Sequence, residues 1–310
     1  MNITTKPNLF IVGAAKAGTS SVFNYLNTHP DVFMSPIKEP NFFGSDIKWE
    51  NFREDHKRNT KLDFDKYFSK QILSKIHIAF VKNKKYYMSL FRNSETFKIR
   101  GEGSTSYLYS TLAAKEIYEF NPNAKIIIIL REPVDRTVSH YLMDYSRKNK
   151  KKINILEDLK SDFTTLDKGY CISNLYIDLS LYSEQILRYI DVFPKEQLIL
   201  MNYDDLKNNP TRFMFAIFKF INVKELKINV KQSFNVTQQP KNRIVKMAAL
   251  LEGILPVRLK NILLTKKELF YKPVYKDIVT QDSLDYIKNN VEEDWEKVKH
   301  IVEHIKPFTK

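Results

Sequence analysis

The sequence predicts an α/β fold, with a central parallel sheet flanked by helices. Three observations predict it. Asn8-Leu-Phe-Ile-Val-Gly13 is a short apolar run ending in glycine, followed by small residues and then a helical pattern. Ala124-Lys-Ile-Ile-Ile-Ile-Leu130 is apolar without alternation, the pattern of a strand buried on both faces. Strand-like and helix-like segments alternate along the chain, as they do where parallel strands are joined through helices.

The elements follow in order. Residues 8–13 form the first strand and 14–18 a loop. Residues 19–27 form a helix with Val22, Phe23, Tyr25 and Leu26 on its apolar side and His29-Pro30 as its stop. The Lys-rich regions 44–100 and 145–170 read as irregular insertions that shape a cleft. A helix over 112–120 stops at Asn121-Pro122. After the strand at 124–130, Pro133 favours the first turn of a helix that runs through Val138, Tyr141 and Leu142. An amphipathic helix over 181–192 precedes a third strand at 197–202. Helices over 213–221 and 282–304 complete the chain, the last of them long and polar. Ligands of such sheets bind beyond the carboxyl ends of the strands. The unusual residues after the first two strands lie there.

Composition narrows the function. The 310 residues carry 50 Lys and Arg against 36 Asp and Glu, a net charge of +14, and 43% are hydrophobic. That much apolar residue supports a core and excludes wholesale disorder. The charge attracts anions: nucleic acid, anionic lipid, a phosphorylated cofactor or an acidic polysaccharide. No helix-turn-helix, RNA-binding or zinc signature accompanies it, so nucleic acid is not an expected partner. Six histidines and one cysteine show no metal-ligand spacing, and no metal is expected. The single Cys171 cannot form an internal disulfide, which suits a reducing compartment. No apolar run is long enough to span a bilayer. The apolar stretch at 9–15 is too short for a secretory signal and is broken by Lys16. A cytoplasmic protein is the expectation.

The loop reads Gly13-Ala-Ala-Lys16-Ala-Gly18-Thr19-Ser20-Ser21. Its glycines have the spacing of a P-loop, G-x-x-x-x-G. Small residues let main-chain N–H groups curl around an oxyanion, and the following helix adds its dipole. The hydroxyls of Thr19, Ser20 and Ser21 add donors. A nucleotide-triphosphate loop needs lysine directly after the second glycine. Here Thr19 stands there, and the lysine precedes Gly18 by two residues. This disfavours a magnesium-dependent grip on β- and γ-phosphates. It suits a loop around a 5′-phosphate, with Lys16 reaching the transferring end.

These residues resemble a known family. The run from Phe10 to Leu26 is similar to the 5′-phosphosulfate loop of sulfotransferases, which use 3′-phosphoadenosine 5′-phosphosulfate (PAPS) and release adenosine 3′,5′-bisphosphate. Asn27-Thr-His-Pro30 and Lys38-Glu-Pro-Asn-Phe-Phe43 resemble the carbohydrate (heparan-sulfate-type) and bacterial branches. Arg131, followed eight residues later by Ser139, is similar to the family's 3′-phosphate motif. Gly101-Glu-Gly-Ser-Thr-Ser-Tyr107 and Leu200-Met-Asn-Tyr-Asp-Asp-Leu206 resemble further family segments. The matches fall between residues 8 and about 245. They imply one P-loop-like sulfotransferase domain over 1–310, with a helical part at 246–310.

The resemblance also implies roles. Lys16, Ala17, Gly18, Thr19 and Ser20 would bind the 5′-phosphosulfate, and Lys16 would be catalytic. Arg131 and Ser139 would hold the 3′-phosphate, and Lys241 and Arg243 would sit on a basic loop closing over the nucleotide. Glu39, after Lys38, would be the base that takes the acceptor's proton. His29 and His56 are the nearer alternatives in sequence, because another branch of the family uses a histidine. Trp49 is a candidate stacking platform. The basic run at 147–152 is a candidate for steering an anionic acceptor. The implied activity is sulfuryl transfer to a hydroxyl, or an amine, of a carbohydrate or other small alcohol. A kinase-like phosphotransferase is the alternative.

Overall fold

The computed structural model describes residues 5–148, 154–227, 238–240, 271–273 and 278–305. Strand β1 (Leu9–Gly13) leads through the loop at 14–18 into α1 (Thr19–Leu26), followed by β2 (Val32–Met34) and β3 (Ile37–Glu39). The region 44–100 is more regular than its composition suggests. It contains α2 (Glu54–Thr60), α3 (Phe64–Phe68), β4 (Ile76–Ile78) and α4 (Lys84–Ser89), and ends in β5 (Ile99–Gly103). Next come α5 (Ser106–Tyr109), α6 (Ala113–Phe120), β6 (Lys125–Leu130), α7 (Pro133–Lys148) and α8 (Ile155–Thr164). Then follow α9 (Ser183–Ile190), β7 (Leu198–Asn202), α10 (Tyr203–Asn208) and α11 (Pro210–Phe220). The short antiparallel pair β8 (Gln238–Pro240) and β9 (Tyr271–Pro273) precedes α12 (Gln281–Ile305).

The main sheet has the order β2-β5-β1-β6-β7, and every pairing is parallel. Inside it, between β1 and β7, lies β6, where Ile126, Ile127, Ile128 and Ile129 are all fully buried. Helices cover both faces of that strand, so no alternation is needed. Each such side chain contributes about 1.5–3 kcal/mol relative to exposure. The sequence pattern misses β5. Its Ile-Arg-Gly-Glu-Gly composition does not look like a buried strand, yet Gly101, Glu102 and Gly103 are all buried. A methyl group on Gly101 would lie 2.6 Å from the Met34 sulfur, so close strand packing explains that glycine.

Two smaller features frame the site. β3 pairs in parallel with β4, Ile37 opposite Ile76 and Glu39 opposite Ile78, which sets residues 37–39 beside the main sheet. The C-terminal helix α12 has a buried stripe of Ile287, Val291 and Val298, and its Asp294 carboxylate accepts from the main-chain N–H of Tyr182 and Ser183 at the start of α9. Its other faces are polar, which accounts for its sequence.

Candidate active site

The candidate residues follow adjacent strands: the phosphate-type loop follows β1, Thr105 follows β5 and Arg131 follows β6. In the loop, Ala14 and Ala17 are buried, and Lys16 and Gly18 adopt left-handed backbone angles, with φ of 70° and 81°. Gly18 is required twice over. Its φ suits glycine, and a Cβ would lie 2.7 Å from the Leu206 side chain and 3.0 Å from the Tyr203 ring. Gly18 is also the N-cap of α1, where no side chain caps the first turn. An uncapped helix start with small neighbours suits an oxyanion. Thr19 is buried and Ser20 half-buried.

Arg131 packs directly against this loop. Its Nη1 donates to the main-chain oxygen of Lys16 at 3.3 Å, and its guanidinium lies 4.8 Å from the centre of the Tyr203 ring. Nη2 is 3.9 Å from the Asp135 carboxylate. Its Nε is buried without a hydrogen-bond partner, a costly state that an acceptor such as a phosphate oxygen would relieve.

Ser139 shares a helix face with two residues that touch this group. Asp135, Ser139 and Met143 are four residues apart on α7 and form one stripe. Arg131 approaches the stripe at Asp135. Lys16 Nζ approaches it at Met143, 3.3 Å from the sulfur. The half-buried Ser139 sits between them. Pro133 starts α7 two residues after Arg131, which brings Asp135 within reach of the Arg131 guanidinium.

Glu39 ends β3 on the β5 side of the loop. It is 7% exposed. Lys38 Nζ donates to its Oε1 at 2.8 Å, and Thr105 Oγ1 donates to its Oε2 at 2.9 Å. Burial alone would push its carboxyl group up. The adjacent Lys38 ammonium, the His77 imidazole and the Thr105 hydroxyl outweigh burial and hold it below the usual carboxylate range. Glu39 is therefore ionised at neutral pH, as a base must be. The Tyr170 hydroxyl lies near Glu39 and Thr105, which brings a residue of the expected insertion at 145–170 to this side of the site.

The two histidines closest to the motifs serve other ends. A ring nitrogen of His29 lies 2.8 Å from the Lys224 carbonyl oxygen, and its Nδ1 accepts from the Asp31 N–H. His56 pairs with Arg53. His77, which no motif marked, is the histidine whose charge acts on Glu39. Trp49 donates from its indole N–H to Thr60 Oγ1 and lines a separate cavity of about 560 Å³ with Phe42 and Glu116. Lys241 and Arg243 lie outside the described residues, and so do the side chains of the basic run at 147–152.

A cavity of about 540 Å³ opens beside β3. Ser20 and Asn24 of α1 line it with Lys38, Lys75, His77 and Arg92, and none of its lining side chains is acidic. Among the described residues, no group of His, Cys, Asp or Glu is arranged to hold a metal ion. No described helix is long and apolar enough to cross a membrane.

Sequence reasoning missed three residues of the site for different reasons. Thr105 and Tyr203 lay inside segments that had a family resemblance but no assigned role. His77 carried no local signal, because only the β3–β4 pairing brings it near Glu39.

The chain is similar to several known proteins. The model of a family described as "Sulfotransferase family" matches residues 7–226. Carbohydrate sulfotransferase 15 of Homo sapiens is 24% identical over 265 residues, covering 76% of this chain and 46% of the relative. Heparan sulfate glucosamine 3-O-sulfotransferase 5 of Mus musculus is 25% identical over 235 residues, covering 75% and 58%. The chain thus spans about half the length of these curated relatives. Among solved structures, a sulfotransferase from Alicyclobacillus acidocaldarius is 28% identical, with a TM-score of 0.59, covering 84% of this chain and 96% of that one.

Proposed function

Because the chain belongs to the sulfotransferase family, we propose that it transfers a sulfuryl group from PAPS to an acceptor hydroxyl, or an amine, of a carbohydrate or other small alcohol. One contact carries the reading: the bond from Arg131 to the main chain of Lys16. It ties the residue read as the 3′-phosphate ligand to the loop read as the 5′-phosphosulfate ligand, and one nucleotide requires both within its span.

Two features fit the nucleotide: the uncapped start of α1 and the unpartnered Nε of Arg131. The bound nucleotide supplies the activated sulfuryl group. The chain's own part is positioning and charge. The amides of the loop and of α1, with the hydroxyls of Thr19 and Ser20, hold the 5′-phosphate. The fork of Arg131 and the hydroxyl of Ser139 hold the 3′-phosphate. Lys16 stabilises the charge that develops on the leaving oxygen, for which a well-aimed donor contributes about 3–4 kcal/mol. Glu39, oriented by Lys38 and Thr105, accepts the acceptor's proton.

The acceptor enters through the cavity beside β3. Its Ser, Asn, Lys and Arg lining, free of acidic side chains, suits a hydroxyl-rich molecule with an acidic substituent. The names of the carbohydrate and heparan sulfate relatives support the same class. A cytoplasmic setting belongs to this reading, since the single Cys171 can form no internal disulfide. The phosphotransferase alternative finds a buried Thr19 where it needs a lysine.

The test is transfer of labelled sulfate from PAPS to a panel of glycans and small alcohols, with a metal chelator present. Transfer to at least one glycan is expected, and none from ATP. Turnover of ATP alone would replace this reading with the phosphotransferase.

A further inference from the structure

Beneath Glu39 lies a second carboxyl group that the reaction does not use. Glu102, on β5, is fully buried. Its Oε1 accepts from the hydroxyls of Tyr87 at 2.8 Å and Tyr107 at 2.9 Å, and its Oε2 from Ser104 Oγ at 2.8 Å. All three partners are uncharged. Burying a carboxyl group on those terms is expensive, and an apolar side chain would ordinarily cost less.

Two of the three donors have a second bond, and both reach the chain that follows Glu39. Ser104 Oγ accepts from the Asn41 N–H at 3.1 Å. The Tyr107 hydroxyl accepts from the N–H groups of Phe42 at 2.9 Å and Phe43 at 3.3 Å. Asn41 holds a left-handed backbone angle (φ 48°) that a non-glycine residue seldom adopts. Its side-chain amide donates to the carbonyls of Glu39 and Ala79, and Ser106 donates to its Oδ1. Thr105, between these anchors, donates to the Glu39 carboxylate.

We propose that Glu102 is the positioning residue for Glu39: through Ser104 and Tyr107, its carboxyl group fixes the turn at 40–43 and so sets the Glu39 carboxylate against Thr105. This rests on the reading of Glu39 as the base.

The groups facing Glu102 from the surrounding elements are Glu39 from β3, Lys82 after β4, Tyr87 from α4, Tyr107 from α5 and Tyr189 from α9. Burial pushes Glu102 up to about 7 against the pull of its three hydroxyl partners, and the Glu39 charge adds to the rise. A proton taken up by this pair near neutral pH therefore resides on Glu102, and Glu39 keeps its charge.

The test combines hydrogen exchange by mass spectrometry with kinetics on the full chain. Glu102→Ala is expected to speed exchange in the peptide covering 39–43 by about tenfold or more, the loss of a buried hydrogen-bond anchor. The peptide covering 14–20 and the Kd for adenosine 3′,5′-bisphosphate should stay within about twofold, while kcat falls and the KM for PAPS does not move. Glu102→Gln keeps a carbonyl oxygen for the tyrosines. It should restore kcat and flatten its pH profile between about pH 6 and 8. If Glu102→Ala does not fold, Tyr107→Phe cuts the same link and is read on the same peptides. Unchanged exchange at 39–43, or a rise spread over the whole chain, would overturn the proposal. The exchange result stands whether or not sulfate transfer is observed, so it fails independently of the proposed reaction.

Discussion

Arg131 donates from Nη1 to the main-chain oxygen of Lys16 at 3.3 Å, so the guanidinium read as a phosphate ligand also holds the loop before α1 in place. Replacing it removes both functions. Arg131→Ala should weaken adenosine 3′,5′-bisphosphate by roughly ten- to a hundredfold, as expected for charge-assisted hydrogen bonds. The binding of 5′-AMP should weaken much less. Calorimetry with both nucleotides checks this, and an equal loss for the two would assign Arg131 to loop structure alone.

Lys16 lies beside Met143 on the stripe that also carries Ser139. Lys16→Ala should cost about two or more decades in kcat, the usual loss of a donor aimed at developing charge. Binding of the bisphosphate product should change far less. A variant with a near-normal rate would remove Lys16 from the chemistry.

Gly18 cannot be replaced without displacing Leu206 and Tyr203. Gly18→Ala combines this clash with a strained φ of 81°, and should destabilise the fold by about 1–3 kcal/mol while abolishing nucleotide binding. Denaturant unfolding together with calorimetry tests both parts. Unchanged stability would show that the loop accommodates a Cβ.

Glu39 and Glu102 give opposite dependences on pH. Glu39 is held below its ordinary range, mainly by Lys38 once burial is overcome, so its contribution is present above the unfolded carboxyl value near 4.3 and is lost as pH falls through its folded value. Glu102 is raised to about 7, so its contribution is present below about 4.3 and is lost as pH rises through 7. Glu39→Gln should therefore reduce the Tm deficit seen on acidification, and Glu102→Gln should raise Tm at pH 8 relative to pH 5. Parallel Tm profiles for the wild type and both variants would contradict these assignments.

The sequence made the central strands and the loop legible because their signals are local. A run of isoleucines needs burial on both faces, and a lysine two residues before glycine and a hydroxyl series define a phosphate-type turn without reference to the rest of the chain. Arg131 and Ser139 were legible as a spaced pair, but their placement relative to Lys16 depends on the start of α7 at Pro133 and on the four-residue stripe from Asp135 to Met143. The strand at 99–103 was hidden because glycines and a buried carboxyl group replaced the apolar pattern. Thr105, His77 and Tyr203 stayed out of reach for a different reason. Each acquires its role from a neighbour distant in sequence, Glu39 for the first two and Arg131 for the third.

Isothermal titration of the wild-type chain with adenosine 3′,5′-bisphosphate and with 5′-AMP measures most directly whether one nucleotide bridges Lys16 and Arg131. The bisphosphate should bind at least about tenfold more tightly, the difference that one well-placed phosphate–guanidinium contact supplies. Equal affinities, or no heat from the bisphosphate, would contradict the assignment of these two residues to a single ligand.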